Sequence, residues 1–293
     1  MRAAGLIKRR SCRASGREPS KSSRWRRDGE RVRLGRSVLY VSTIGAVGLG
    51  VRSVLSGPVP IPVAAGAVVA FSAVVMAGVL DPRLAMFADV VNEGPKKPDT
   101  PRLSLTFDDG PGASTPKILD LLDEAKAKAT FFVIGRKLEK DGAAIAREIV
   151  ARGHGIACHS FAHDRLFALR GSKRVRADLE RAIKTIEDTV SVRTTHFRPP
   201  IGHTNPTIAR VADELGLTVI GFSVRGYDGT AGARADDVAE RVIFGIEDAA
   251  IVLLHDGAER DDFTPQAPEA LPKILAAMKS RGIAGVTLEE LLT

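Results

Sequence analysis

The chain has 293 residues and a formal net charge of +8, unevenly spread: residues 1–36 hold thirteen Lys or Arg against Glu18, Asp28 and Glu30, a balance of +10 that leaves −2 for the other 257. The basicity belongs to a tail, which excludes a basic nucleic-acid-binding body, and the remainder carries no helix-turn-helix, zinc-finger or RNA-binding signature. Two cysteines, Cys12 and Cys158, are too few for a disulfide framework.

Rich in Arg and Ser and almost without apolar periodicity, residues 1–36 are expected to form a disordered basic tail. Between Arg36 and Asp81 the one charged residue is Arg52, and two apolar stretches flank Gly57-Pro58-Val59-Pro60-Ile61-Pro62. Residues 37–80 therefore predict a membrane segment of one or two helices. Val63 to Leu80 rises about 27 Å as a helix and reaches a bilayer core of roughly 30 Å if Ile61 and Pro62 join it. Ser37 to Val51 gives about 22 Å and extends to Leu55 if Arg52 snorkels. A signal peptide is disfavoured by the long basic region and the lack of a small-residue cleavage site. The positive-inside rule assigns the tail to the cytoplasm; one span then exports the rest of the chain and two spans return it. The expectation is a membrane-anchored chain with an extracytoplasmic domain.

Residues 81–97 have the composition of a linker, and regular patterning starts near 98, so a soluble domain is expected over 98–293. Short apolar runs at Leu103–Phe107, Thr130–Ile134, Gly155–Cys158, Thr195–Arg198, Thr218–Phe222, Ile251–Leu254 and Val286–Leu288 predict strands. Amphipathic helices are expected at Thr115–Glu124, Gly142–Ala151, Lys173–Val190, Asn205–Leu215, Ala235–Glu247 and Pro268–Ser280, with Thr115 as an N-cap ahead of Pro116. Alternation of this kind predicts an α/β fold with parallel strands. A distorted (β/α) barrel of about seven strands is preferred over a doubly wound sheet, because no Gly-rich phosphate loop is present and chemistry-bearing residues follow several strands.

Three strings carry that chemistry: Thr106-Phe107-Asp108-Asp109-Gly110-Pro111, His159-Ser160-Phe161-Ala162-His163 and Leu253-Leu254-His255-Asp256. Two adjacent carboxylates leaving an apolar strand can divide their labour, one binding a metal and the other accepting a proton from water. Imidazoles at i and i+4 share one face of a helical turn, and with a carboxylate they complete a three-ligand site. Each string alone has a plainer structural reading; their joint occurrence at strand ends points to a metal-dependent hydrolase.

On these residues the domain, over about 100–293, resembles the polysaccharide deacetylases of carbohydrate esterase family 4. The resemblance implies Asp108 as catalytic base and Asp109, His159 and His163 as ligands of one divalent metal, zinc by default with cobalt able to substitute. It implies that Arg198, in Arg198-Pro199-Pro200-Ile201-Gly202, keeps the base ionised, that the Ile201 backbone N–H helps hold the oxyanion, and that His255 is the catalytic acid paired with Asp228. Ile201 replaces a usual aromatic. In Phe222-Ser223-Val224-Arg225-Gly226-Tyr227-Asp228-Gly229 both tryptophans and the first aspartate of the family pattern are missing. His154, His196 and His203 are expected to be structural or groove-lining, and Cys158 a small buried residue or an oxidation site. The implied activity is removal of N-acetyl groups from a cell-wall glycan such as peptidoglycan or a chitin-like polymer. A deacylase acting on a small amide or lipid-linked sugar, and an inactive membrane-anchored glycan-binding protein, are the alternatives.

Overall fold

In the computed structural model, residues 31–81, 84, 86–139, 141–260 and 262–293 are described. The tail expected to be disordered lies mainly outside them, but Arg31 to Arg36 already belong to helix α1 (Arg31–Ser56). With α2 (Ile61–Leu80), α1 contributes two helices long and apolar enough to cross a membrane. They form an antiparallel hairpin broken at the proline-rich Gly57–Pro60 turn. The start of α1 returns to the segment that follows α2, where Arg36 Nη2 lies 2.6 Å from Asp89 Oδ1.

The soluble part is built on parallel strands β1 (Arg102–Gly110), β2 (Ala129–Val133), β3 (Gly155–Cys158), β4 (His196–Phe197), β5 (Thr218–Val219), β6 (Val224–Arg225) and β7 (Ile251–His255). Their spatial order is β5-β4-β3-β2-β1-β7-β6, and β8 (Ala284–Gly285) joins the start of β1. The sheet curls into an open barrel, with β5 and β6 as its edges. Helices α3 (Thr115–Glu124), α4 (Gly135–Leu138), α5 (Gly142–Ala151), α6 (Ser172–Val190), α7 (Pro206–Glu214), α8 (Ala235–Gly245) and α9 (Ala267–Ser280) occupy the connections, and α10 (Leu288–Leu291) ends the chain.

Strand periodicity separates two cores. Leu103, Leu105, Phe107 and Phe131 face the helices, whereas Phe132, Ala157, Ile220, Phe222, Ile251 and Leu253 pack together with Leu288 and Leu291 of α10 inside the barrel. Ser104, Thr106 and Asp108 alternate with the outward residues of β1 and are buried polar groups. That places a row of hydroxyl and carboxyl oxygens in the barrel interior.

The last strand expected at Val286–Leu288 lies instead at Ala284–Gly285. Thr287 serves the next element, capping α10 in a reciprocal capping box with Glu290. Thr115 is likewise not an N-cap, since Ser114 precedes the helix. Its hydroxyl donates to Asp256 Oδ2 at 2.6 Å and accepts from Gly112 N at 2.9 Å. Segment 81–97 also makes ordered contacts with the barrel. Ala88 and Val90 are buried, Val91 bridges to Ile220 and Glu93 to Ala250.

Candidate active site

Every predicted site residue lies at or just beyond the C-terminal end of a strand, the face on which such barrels assemble sites. The local backbone there is unusual. Asp109, Ser160, His163, Ile201 and Tyr227 all have positive φ, a region costly for side chains other than glycine. In β1 the pairing register with β2 shifts between Asp108 and Gly110. This bulge, with φ 68° at Asp109, lets two consecutive carboxylates serve the same rim, which ordinary alternation would forbid.

The two aspartates then part company. Asp108, 4% exposed, accepts from Arg198 Nη1 at 2.6 Å. Arg198, 2% exposed, spends its other donors on Thr106 Oγ1 (2.9 Å), Gly221 O (2.8 Å) and Ile220 O (3.4 Å), with its guanidinium 4.1 Å over the Phe132 ring. Asp109 turns to the imidazoles: its Oδ1 lies 3.1 Å from His163 Nε2 and 3.4 Å from His159 Nε2. Burial opposes its charge, yet the two imidazoles hold its carboxyl well below the usual carboxylate range.

The His159–His163 string is not a helical turn. It is a looped segment after β3 with positive φ at Ser160 and His163, so the rings converge through loop geometry instead of helical spacing. His163 N donates to Ser160 Oγ, and Asp178 of α6 accepts from Phe161 N (2.7 Å) and Ala162 N (3.1 Å). The His159 Nδ1 sits 2.7 Å from Arg198 O. A carbonyl only accepts, so Nδ1 carries a proton and Nε2 is the atom that faces Asp109.

One ligand atom from each of Asp109, His159 and His163 lies within 4.8 Å of the others. Asp109 Oδ1 is buried and receives no hydrogen bond. One carboxylate oxygen and two imidazole nitrogens converging on a shared point fit a divalent transition metal with N/O ligands.

Opposite them, His255 ends β7 and Asp228 follows β6. The fully buried Asp228 accepts from His255 N at 2.8 Å through one oxygen and pairs with His255 Nδ1 at 2.9 Å through the other. Burial opposes a charged imidazole, but the Asp228 carboxylate outweighs it and the His255 pKa is pushed up to about 9. A Cβ at Gly229 would lie 2.8 Å from His255 Nδ1, so the glycine lets the backbone approach the imidazole closely. Ile201 stands in a 3-10 turn (Pro200–Gly202) with φ 61°, its side chain half exposed. Arg225 stacks 4.6 Å over the Tyr227 ring.

Burial governs two of the other histidines and the cysteine. His154 is buried, its Nδ1 accepts from Ala129 N, and burial lowers its pKa to about 4; burial does the same for His196. Burial pushes the Cys158 thiol up to about 12, which removes it from thiolate chemistry. Two supporting groups, Asp178 and Glu259, have no signature in the sequence; a third, Asp256, ends the string that carries His255. Asp256 is fully buried behind the Asp108–Pro111 turn, where a Cβ on Gly110 would collide with its carboxylate. Asp178 and Glu259 meet their partners only through the fold, a relationship no local pattern encodes.

A profile of the polysaccharide deacetylase family matches residues 95–220. The chain is 34% identical over 192 residues to a chitooligosaccharide deacetylase of Sinorhizobium fredii, covering 62% of this chain and 87% of the relative. It is 35% identical over 202 residues to the peptidoglycan-N-acetylglucosamine deacetylase PgdA of Listeria monocytogenes, covering 69% of this chain but only 41% of that protein. Among solved structures, a family 4 acetyl xylan esterase from Clostridium thermocellum, in complex with a cobalt ion, superposes with a TM-score of 0.60 at 35% identity, covering 64% of this chain and 89% of that one.

The buried pair makes a prediction for stability. Replacing Arg198 by Met strands the Asp108 carboxylate in the barrel and should cost about 3–5 kcal/mol in denaturant unfolding, whereas Arg198→Met with Asp108→Leu should recover most of the loss.

Proposed function

This chain belongs to the polysaccharide deacetylase family, and on that premise we propose that it is a membrane-anchored, metal-dependent hydrolase that removes N-acetyl groups from the sugars of a cell-wall glycan, releasing acetate. The observation that carries the reading is the division between neighbours: Asp108 faces Arg198 while Asp109 faces two imidazoles. Asp109, His159 and His163 would hold the ion, zinc by default with cobalt able to substitute. When bound, it supplies Lewis acidity toward the acetyl carbonyl and the attacking water.

The chain's own residues account for the proton transfers. Asp108, hydrogen-bonded to the Arg198 guanidinium, takes a proton from the water as its oxygen adds to the carbonyl carbon. The Ile201 N–H donates to the oxygen that gains negative charge, a role that needs no particular side chain. His255, its Nδ1 proton held by Asp228, delivers a proton from Nε2 to the amide nitrogen as the C–N bond breaks. Acetate and a free amino sugar result.

A second reading concerns where the substrate is held. Thr204 N donates to Val79 O in the last turn of α2, at 3.2 Å, so the loop that begins with Arg198 and carries Ile201 runs directly to the end of a membrane helix. That contact favours a sugar presented at the membrane surface on a lipid carrier. A cell-wall polymer requires the domain on the extracytoplasmic face. The hairpin sets the start of α1 at the same end as the domain, so the cell-wall reading holds only if one of the two helices crosses or the positive-inside rule is not obeyed.

Full-length protein in detergent, loaded with zinc or cobalt, is expected to release acetate from N-acetylglucosamine oligomers, peptidoglycan or a lipid-linked N-acetylated sugar, with Asp108→Asn reducing kcat by at least about a hundredfold. Turnover of the lipid-linked substrate alone would select the second reading; no acetate from any of the three would remove both.

The pH profile tests the acid. His255 must be protonated to act, so activity should persist into the alkaline range and decline as pH rises through about 9. Asp228→Asn withdraws the charge that keeps the proton on the imidazole, and the alkaline limb should move to lower pH. An unmoved limb would dismiss His255 as the acid.

A further inference from the structure

The two ligand imidazoles are supported unequally. His159 has a partner for its far nitrogen, since Nδ1 sits 2.7 Å from Arg198 O. His163 has none: its Nδ1 is buried and makes no hydrogen bond. Yet its Nε2 is the atom turned to Asp109, at 3.1 Å. If that nitrogen gives its lone pair to a metal, the proton of the neutral ring resides on Nδ1, and a buried N–H without an acceptor is costly.

The group facing that proton is Glu259. Its Oε2 lies 3.7 Å from His163 Nδ1, beyond hydrogen-bond length but at ion-pair distance, and its side chain is only 13% exposed. Several contacts hold the carboxylate and its loop. Arg165 Nε, two residues beyond His163, binds the same Oε2 at 2.6 Å. Arg136 Nη2 donates to Glu259 O and Lys137 Nζ to Ala258 O, each at 2.7 Å, fastening the loop to α4. An acid this close to an otherwise unpartnered ring nitrogen, on a loop tied down from two sides, is more than a solvated surface charge.

We propose that Glu259 is a positioning residue of the metal centre, accepting the His163 Nδ1 proton and thereby fixing that ring's tautomer, orientation and basicity as a ligand. The inference rests on the reading of Asp109, His159 and His163 as a metal site. Carboxylates and carbonyls behind ligand histidines commonly act in this way, and their loss typically weakens metal binding about 10–100-fold. In this chain the two forms divide between the two rings: a backbone carbonyl serves His159 and a carboxylate serves His163. Because Glu259 follows His255 by four residues on the segment leaving β7, one loop would set both the catalytic acid and the metal ligand.

The test is zinc affinity of the full-length protein in detergent, measured by competition with a chromophoric chelator, together with the melting temperature of each protein after metal removal. Glu259→Ala is expected to raise the zinc Kd about 10–100-fold, and Glu259→Gln, whose amide oxygen still accepts, by less. The metal-free melting temperatures should stay together, separating ligand positioning from a general structural role. One equivalent of zinc bound by the unaltered protein and by Glu259→Ala with Kd values within twofold would overturn the inference, as would a loss of metal-free stability without a loss of affinity. Absence of zinc binding by the unaltered protein would instead defeat the underlying metal reading, and the role of Glu259 with it.

Discussion

The buried ion pair between Arg198 and Asp108 is the constraint on which the site depends. A guanidinium cannot give up its charge, so placing one inside a barrel commits the fold to surrounding it with acceptors. The chain does so with Thr106, Asp108 and the carbonyls of Ile220 and Gly221. These come from β1 and from the segment just beyond β5, so one side chain ties two separated parts of the sheet together. The same bond governs the chemistry. It occupies Asp108 with a cation and leaves the rotated Asp109 to face the histidines. Arg198 also offers its backbone carbonyl to His159, so a single residue orients both the proposed base and a proposed metal ligand.

How far the sequence reveals this arrangement depends on the length of the signal. Five-residue apolar runs such as Ala129–Val133 and Ile251–His255 stand out, as do the long amphipathic helices, and parallel order follows from their alternation. β4, β5, β6 and β8 are two residues each, too short for any period to appear. That is why β6 has no counterpart among the expected strands and β8 lies ahead of its expected place. Thr115 and Thr287 show why position alone misleads: both sit at helix starts, yet Thr287 caps its helix and Thr115 clamps Asp256. The strings Asp108-Asp109 and His159 to His163 are legible as chemistry but not as geometry. Spacing suggests a helical turn; positive φ angles and a β-bulge do the aiming. Asp178 and Glu259 stay hidden altogether because single acids have no motif until the fold brings them to their partners, and Asp256, legible beside His255, gives no sign of its bond to Thr115.

The departures from the family pattern gather on the substrate side of the site. Gly229 lies against the His255 ring, Ile201 presents an aliphatic side chain to solvent, and Arg225 stacks on the half-exposed Tyr227. Where the family pattern has a tryptophan and an aspartate, this chain has Gly229 and Arg225, the latter over a phenol ring. The groups behind the reaction are kept: an aspartate bonded to arginine, three converging ligand atoms and an imidazole backed by a buried carboxylate. That inner set is what supports turnover in the proposed function, and the Thr204 contact to α2 is what supports its membrane-surface reading.

The central claim is that Asp109, and not Asp108, holds a metal with His159 and His163. A crystal of the full-length protein loaded with cobalt and measured at the cobalt absorption edge would test it. The expected result is one anomalous peak within bonding distance of an Asp109 carboxylate oxygen and the Nε2 atoms of both histidines, with Asp108 still bound to Arg198. A peak bonded to Asp108, or none at this cluster in a crystal where cobalt binds elsewhere, would contradict it.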